Sequence, residues 1–238
     1  MQFARLAIAC VAAAASTSAL AGTVTTSNPS GTNEMGARIR WGNTGFEAGL
    51  YDGGTAASNL NPVGTPVWTV GAARNFEVSF DSMTGTLGLK IDFNGDNSFG
   101  TGETLSKSTF VAPGLTSYVG KGFRYIQING NESGSAARSN ISSLVINGTS
   151  HSNIAPNGGF VDTFFKDSAN QVMTNILITG KITFTTAGTA QERPSYNFNF
   201  LNAETPAVVP LPAAAWMGLG LMGAAAGASK LRRRSLTA

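Results

Sequence analysis

The sequence predicts an all-β protein, an antiparallel β-sandwich of the jelly-roll-like kind. Apolar and polar residues alternate with a period of two in many short segments, and the region between the two ends of the chain has no helical period. Turn-forming glycine, asparagine and serine residues separate these segments, and glycine alone accounts for 29 of the 238 residues. Each segment has one polar face, which is typical of antiparallel sheets and not of the buried strands of a parallel α/β sheet.

The clearest strands form a predicted hairpin. In RNFEVSFD every second residue from Phe76 to Phe80 is apolar, and in TLGLKIDF every second residue from Leu87 to Phe93 is apolar. The turn SMTG separates the two segments. This arrangement predicts two antiparallel strands with one face in the core.

Two later segments alternate as clearly, NILITGKITF and SYNFNF, and the aromatic residues of the second are expected to complete the core. In ARIRW, Arg38 and Arg40 are expected on the outer face of a strand. Further candidate strands are VWTV, FRYIQI, SSLVI and FVDTFF. Turns are predicted at the four Asn-Gly pairs, which begin at Asn94, Asn129, Asn147 and Asn157.

The first 21 residues have the pattern of a signal peptide. Arg5 supplies a positive charge, and an apolar run follows from Leu6 to Ala15. Ala19 and Ala21 form an A-x-A signal, which predicts cleavage before Gly22. An uncleaved anchor is the alternative, although the run is shorter than the ~20 residues that span a bilayer. A single β-sandwich domain is expected over residues 22–203.

Charge and cysteine content exclude two classes of protein. Without Arg5 and the four cations of the C-terminal tail, 11 basic residues face 13 acidic residues, a net charge of −2. The excess needed to bind nucleic acid is therefore missing, and no nucleic-acid partner is expected. Cys10 is the single cysteine and lies in the signal peptide, so cysteine catalysis and disulfides are excluded from the mature chain.

The C-terminal segment has three parts in order. After a linker at 204–208 comes a VPLPA motif, which consists of Val209, Pro210, Leu211, Pro212 and Ala213. An apolar run of 16 residues from Ala213 to Ala228 approaches the lower length limit of a transmembrane helix, ~17 residues, and with Ser229 and Leu231 it predicts a transmembrane helix at 213–231. A basic cluster then predicts a stop-transfer signal with its cations on the cytoplasmic side, and its members are Lys230, Arg232, Arg233 and Arg234.

The tail at 209–235 resembles the VPLPA variant of the PEP-CTERM sorting signal of Gram-negative bacteria. The resemblance implies a membrane partner, an exosortase-type enzyme that cleaves at the short motif. It also implies an inner-membrane precursor that is later found at the cell surface or outside the cell. A simple C-terminal membrane anchor is the alternative, and it would keep the basic cluster in the mature protein.

The region between the two targeting segments resembles the choice-of-anchor domains, β-rich extracellular modules, with type W the nearest in appearance. The resemblance rests on ARIRWGNTGFEAGL, on FEVSFDSMTGTLGL and on FRYIQINGNESGS. It implies a surface module and supplies no catalytic residues.

Two function classes follow from the side chains present. His151 is the only histidine and lies in a segment of loop composition, and no GxSxG motif occurs, so a two-histidine metal site and a serine-hydrolase elbow are excluded. A non-enzymatic surface or matrix protein that contacts polysaccharide is expected. A secreted carbohydrate-active enzyme with two carboxylates is the alternative. The aromatic residues fit either stacking on sugars or the core, and they include Trp41, Trp68, Tyr118 and Tyr125.

One loop has the spacing of a calcium site. In IDFNGDNSFGTGE, oxygen-bearing residues alternate from Asp92, with a glutamate at loop position 12. The candidate ligands are Asp92, Asn94, Asp96, Ser98 and Glu103, with Gly100 at position 9. Position 6 is Asn97 where the turn prefers glycine, and the flanks are strands, so the loop is not an EF-hand. A hairpin connection that caps its own backbone is the alternative.

Overall fold

The computed structural model describes residues 21–25, 33–42, 45–52, 55–60, 69–108, 118–133, 138–185 and 194–205. Within these ranges the chain forms strands and no helix, so no helix there could cross a bilayer. The strands are β1 (Ala21–Thr25), β2 (Asn33–Gly42), β3 (Gly45–Asp52), β4 (Thr55–Leu60), β5 (Ala73–Asp81), β6 (Thr86–Ile91), β7 (Thr104–Lys107), β8 (Gly122–Asn131), β9 (Ser139–Ile146), β10 (Thr149–Ser150), β11 (Phe160–Asp167), β12 (Asn175–Phe184) and β13 (Ser195–Glu204).

The strands form two sheets in which every pair is antiparallel. The seven-stranded sheet has the order β1-β11-β8-β13-β2-β3-β4, and the six-stranded sheet has the order β10-β9-β12-β5-β6-β7. The predicted all-β antiparallel class is therefore confirmed. The jelly-roll-like arrangement stays a prediction.

The two sheets pack face to face through aromatic rings. Phe76 of β5 lies 5.1 Å, between ring centroids, from Phe198 of β13 in the other sheet. Phe80 of β5 lies 4.8 Å from Phe123 of β8 in an edge-to-face contact. All four rings are buried. Alternation in the sequence places these rings on inner faces, and their burial supplies the main driving force for the sandwich.

The predicted hairpin β5–β6 is present, with Val78 opposite Leu89. Five strands were not predicted, namely β1, β3, β4, β7 and β10. The predicted strand VWTV is wrong in its second half, because Thr69 and Val70 lie in the turn before β5.

The turn predicted at Asn129 is also wrong, because Asn129 and Gly130 lie inside β8. At Gly130 an added Cβ would lie 2.7 Å from Cγ of Pro156 and 2.9 Å from Cε1 of Tyr196. The glycine is therefore required by close packing and not by a turn. Elsewhere the prediction holds, as at Asn147 and Gly148, where both residues have positive φ.

The predicted bounds of the domain, residues 22–203, can be compared with the first and last strands. β1 begins at Ala21 and pairs with β11, so the predicted cleavage site lies within its first two residues. β13 continues to Glu204, one residue beyond the predicted end of the domain. All described residues belong to one unit of the chain, Met1–Pro206.

Candidate functional site

The loop predicted to bind calcium connects β6 to β7. Its first residue, Asp92, and its last, Glu103, are buried, with exposed fractions of 1% and 6%. The Ile91 N–H donates to the Glu103 carbonyl at 2.9 Å, which closes the base of the loop. Two acidic side chains are thus held inside the fold at the two ends of one loop, where each needs hydrogen-bond donors.

Backbone N–H groups of the loop supply those donors for Asp92. The N–H of Gly95 donates to Oδ1 at 2.6 Å, and the N–H of Asn97 donates to Oδ2 at 3.1 Å. Asn97 has a φ of 65°. The tolerance of asparagine for the left-handed conformation, expected at loop position 6, is therefore used.

Glu103 is held in the same way. Its Oε1 accepts the N–H of Phe93 at 2.8 Å and that of Asn94 at 3.3 Å, and its Oε2 accepts the N–H of Gly100 at 2.6 Å. The side chain therefore pins both ends of the loop from the inside, as a capping residue does.

The remaining predicted ligands lie on the exposed rim of the loop. Oδ1 of Asp96 accepts the N–H of Ser98 at 2.8 Å and its hydroxyl at 2.6 Å, and Oδ2 accepts Nδ2 of Asn94 at 3.0 Å. The hydrogen bonds from Ser98 lower the pKa of Asp96, and the one from Asn94 acts in the same direction.

These contacts favour the self-capping loop. Among the described residues no three acidic, histidine or cysteine side chains converge in a group that could hold a metal ion. The loop nevertheless holds three carboxylates at the predicted spacing, so calcium binding stays a prediction.

A second surface, which was not predicted from the sequence, lies on the outer face of the seven-stranded sheet. Two rows of residues run across the strands, each row in register from β11 through β8 and β13 to β2. The side chains in these rows are mostly amides, and we call this surface the amide face. Its residues are Arg38, Gln127, Asn129, Asp162, Asn197 and Asn199.

A chain of hydrogen bonds crosses the first row. Nε of Arg38 donates to Oδ1 of Asn197 at 2.6 Å, and Nδ2 of Asn197 donates to Oδ1 of Asn129 at 3.1 Å. Nδ2 of Asn129 then donates to Oδ1 of Asp162 at 2.8 Å. The donors all point the same way, from a cation to a carboxylate, so each bond polarises the next.

The hydrogen bonds of the second row also end on Oδ1 of Asp162. Nδ2 of Asn199 donates to Oε1 of Gln127 at 2.9 Å, and Nε2 of Gln127 donates to Oδ1 of Asp162 at 2.8 Å. Within the described part of the chain, the four amides each use one of their two N–H groups in this way. A side-chain amide has two N–H donors, so each of the four could make one further donation.

The amide face has an aromatic border. The guanidinium of Arg38 lies 4.4 Å from the ring centroid of Tyr51 on β3. Between Tyr51 and Asn199 the register places Gly36, which is buried. At that position an added Cβ would lie 2.7 Å from the Phe198 carbonyl oxygen. At the opposite border, Phe160 of β11 is 58% exposed.

The aromatic and histidine side chains considered as ligand contacts are buried to different degrees. Tyr118 is buried and Trp41 packs against the core, whereas Tyr125 is half-buried. His151 is half-buried, and its ring lies edge-on to Phe165, 4.8 Å away between centroids.

The other two buried carboxylates also bind backbone. Glu132 accepts the N–H of Ser139 and the N–H of Gly158, each at 2.5 Å. Asp167 accepts the N–H of Ala169 at 2.9 Å. The buried acids of the described residues therefore hold loops in place.

The targeting residues lie outside the described residues, apart from Ala21 and Gly22 in β1. They are Ala19, the VPLPA motif at 209–213 and the basic cluster of Lys230, Arg232, Arg233 and Arg234. Comparison with known proteins found no family model and no curated protein that matches the chain.

Proposed function

We propose that this chain is an exported bacterial surface or matrix protein whose β-sandwich binds polysaccharide without catalysing a reaction. The observation that carries the proposal is the amide face. A side-chain amide has two donors and an acceptor oxygen, and a sugar hydroxyl can pair with both kinds of group. The hydrogen bonds within the network hold the amides in fixed positions, so little conformational entropy is lost on binding.

The charges of the amide face favour a neutral polysaccharide. Arg38 and Asp162 carry opposite charges and lie at the two ends of one hydrogen-bond chain. The residues between them are uncharged. Tyr51 lies at one border, beside the Arg38 guanidinium, and Phe160 offers an exposed apolar contact to a sugar ring at the other border.

The use of the acidic side chains supports a non-catalytic role. A glycosidase needs two carboxylates that face a cleft and remain available to the substrate. Here the four buried carboxylates each accept backbone N–H groups, as for Asp92 and Glu132. The alternative of a carbohydrate-active enzyme predicts reducing sugar released from the polysaccharide that binds.

Alanine at two positions of the amide face tests the proposal. The Asn129→Ala, Asn197→Ala double variant is expected to weaken binding of the full-length protein to a neutral polysaccharide, hydroxyethylcellulose or dextran, by about tenfold or more. Each lost hydrogen bond is worth ~1 kcal/mol, and 1.4 kcal/mol is a factor of ten. Affinity gel electrophoresis measures the change.

The matched control is the Asn140→Ala, Thr183→Ala double variant. Asn140 and Thr183 pair with each other on the six-stranded sheet, and the two substitutions remove polar side-chain groups there. The control should retain wild-type affinity. Equal retardation of all three proteins in both polysaccharides would contradict polysaccharide binding by the amide face.

The ends of the chain supply the proposed route to the surface. The signal peptide ends before Gly22, and the choice-of-anchor resemblance of the middle region fits an extracellular module. The VPLPA motif at 209–213 lies next to an apolar segment that is followed by cations, so a membrane-embedded exosortase could cleave at the outer boundary. The protein is proposed to be an inner-membrane precursor first and a surface or released protein afterwards.

Intact-mass measurement tests this route. Wild-type protein recovered from the surface or the medium is expected to lack both the first 21 residues and the basic cluster. The Pro210→Ala, Pro212→Ala variant is expected to accumulate uncut in the inner membrane, because a helix could then extend through the motif. Detection of Arg232–Arg234 in the mature surface form would contradict cleavage at the VPLPA motif, and the tail would then be a simple membrane anchor.

A further inference from the structure

A cavity of about 330 Å³, lined by both polar and apolar residues, opens on the outer face of the six-stranded sheet. It is therefore on the opposite side of the sandwich from the amide face. Its floor is the backbone around Gly180 of β12, and its side wall comes from Asn97 and Phe99 of the loop between β6 and β7. The volume suits one sugar ring better than a longer ligand.

A β-bulge forms this cavity. Thr179 pairs with Val145, whereas Lys181 pairs with Ser142, so β9 has two residues opposite Gly180 alone. One of the two is Ser143, which has a φ of 52°. A positive φ in a non-glycine residue is strained, and both bulges and such strain are concentrated at functional sites. The bulge leaves the Ser143 side chain exposed at the rim.

Gly180 is required by packing on the core side of the sheet, beneath the cavity. A Cβ at this position would lie 2.9 Å from Cε1 of Phe76, whose ring fills the core beneath. A side chain at this position would displace the Phe76 ring, and glycine lets that ring lie directly beneath the cavity.

The polar groups around the cavity are suited to an anionic sugar. The ammonium of Lys181 lies at the rim, exposed to solvent, and it has no carboxylate partner within the described residues. The neighbouring cation, Lys90, is neutralised by Glu77 at 2.7 Å. Lys181 is thus the one positive charge of the cavity available to a ligand.

Neutral groups complete the cavity. Ser143 and Thr179 contribute hydroxyls. Asn75 is held by its own Nδ2, which donates to Oδ1 of Asn97 at 3.1 Å and to Oδ2 of Asp92 at 3.3 Å. Phe99 is 37% exposed and presents an apolar surface. A sugar ring that carries several hydroxyls and one carboxylate could form contacts with all of these groups.

We propose that this cavity binds a single uronic-acid residue, with its carboxylate on Lys181 and its ring against Phe99. The ammonium fixes the carboxylate as a point charge. The Ser143 and Thr179 hydroxyls and the Asn75 amide oxygen pair with ring hydroxyls. This inference shares the carbohydrate chemistry of the proposed function but uses a different surface, so each can fail alone.

Titration of the full-length protein with galacturonate, and with galactose as the neutral partner, tests the proposal. The titration is done by calorimetry or NMR in the presence of a calcium chelator. Galacturonate is expected to bind with a Kd on the order of 1 mM, which corresponds to ~4 kcal/mol. Galactose is expected to bind at least tenfold more weakly. Lys181→Gln should weaken galacturonate binding about tenfold and leave galactose unchanged.

Two further variants keep the test falsifiable. Lys121→Gln removes a lysine just before β8, a strand of the other sheet, and should bind galacturonate as the wild type does. Ser143→Gly should weaken galacturonate binding by a few-fold while raising Tm, because glycine adopts the positive φ without strain.

Equal affinities for galacturonate and galactose, or a Lys181→Gln variant with unchanged galacturonate affinity, would overturn the proposal. Loss of polysaccharide binding in the amide-face variants, with galacturonate binding intact, would separate the two surfaces. If the protein binds polysaccharide but not galacturonate, the cavity does not bind a uronic acid, and the proposed function of the amide face is unaffected.

Discussion

Replacement of Glu132 by alanine is expected to lower the free energy of unfolding by about 3–5 kcal/mol, as removal of one partner from a buried charged site does. The side chain is fully buried and lies between the end of β8 and the start of β9. Its Oε1 accepts the N–H and the hydroxyl of Ser139 at 2.5 and 2.8 Å, and its Oε2 accepts the N–H of Gly158 at 2.5 Å. Alanine would leave these donors in the interior without an acceptor.

Two variants show which contacts matter. Arg138 lies 3.9 Å from the carboxylate, but its side chain is 49% exposed, so Arg138→Gln should cost less than about 1 kcal/mol. Glu132→Gln keeps the shape of the side chain and one acceptor oxygen. Its loss of unfolding free energy should lie between those of Arg138→Gln and Glu132→Ala. Urea unfolding followed by circular dichroism measures all three. A loss below about 1 kcal/mol for Glu132→Ala would mean that water replaces the carboxylate.

Asp92→Ala should give the second large effect, a loss of about 2–4 kcal/mol, because two loop N–H groups and the Asn75 amide all lose their acceptor. The carboxylate is almost fully buried, so solvent cannot easily take its place. The loss is expected with and without calcium if the loop only caps its own backbone. Thermal unfolding in a calcium chelator measures the part that is independent of metal.

Calcium binding by the same loop predicts an additional result. Calcium at a hundredfold excess over Kd would stabilise the folded state by about 2.7 kcal/mol. Asp96→Ala is the sharper test, because Asp96 is exposed and its partners are exposed too. It should abolish the calcium effect and change little in chelator. Identical melting of the wild type with calcium and with chelator would leave the self-capping loop as the whole account.

The parts of the fold that local pattern controls could be predicted from the sequence. The β5–β6 hairpin follows from alternation and a four-residue turn, and the rings of β13 are buried as expected. The pair Asn129-Gly130 shows the limit. It has the sequence of a turn, but Gly130 is fixed by Pro156 and Tyr196, which come from distant parts of the chain.

The amide face could not be predicted for a related reason. Asparagine is disfavoured in strands, so Asn197 and Asn199 suggest only a polar outer face. Their partners Asn129 and Gln127 are 68 and 72 residues away in the sequence. The cavity at Gly180 depends in the same way on the register of β9 against β12. One aspect could have been noticed, since both QIN and NFN place amides at alternate positions.

The position of β13 bears on when this protein can fold. It is the last strand of the chain, yet it lies between β8 and β2 in the middle of the seven-stranded sheet. Ser195 pairs with Arg40 on one side and with Asn131 on the other. If the chain is exported as proposed, amino end first, it holds two half-sheets with open edges until Glu204 has left the translocation channel. Assembly of the sandwich must wait for almost the whole domain, and during that interval the exposed edges are the places where a chaperone would be needed.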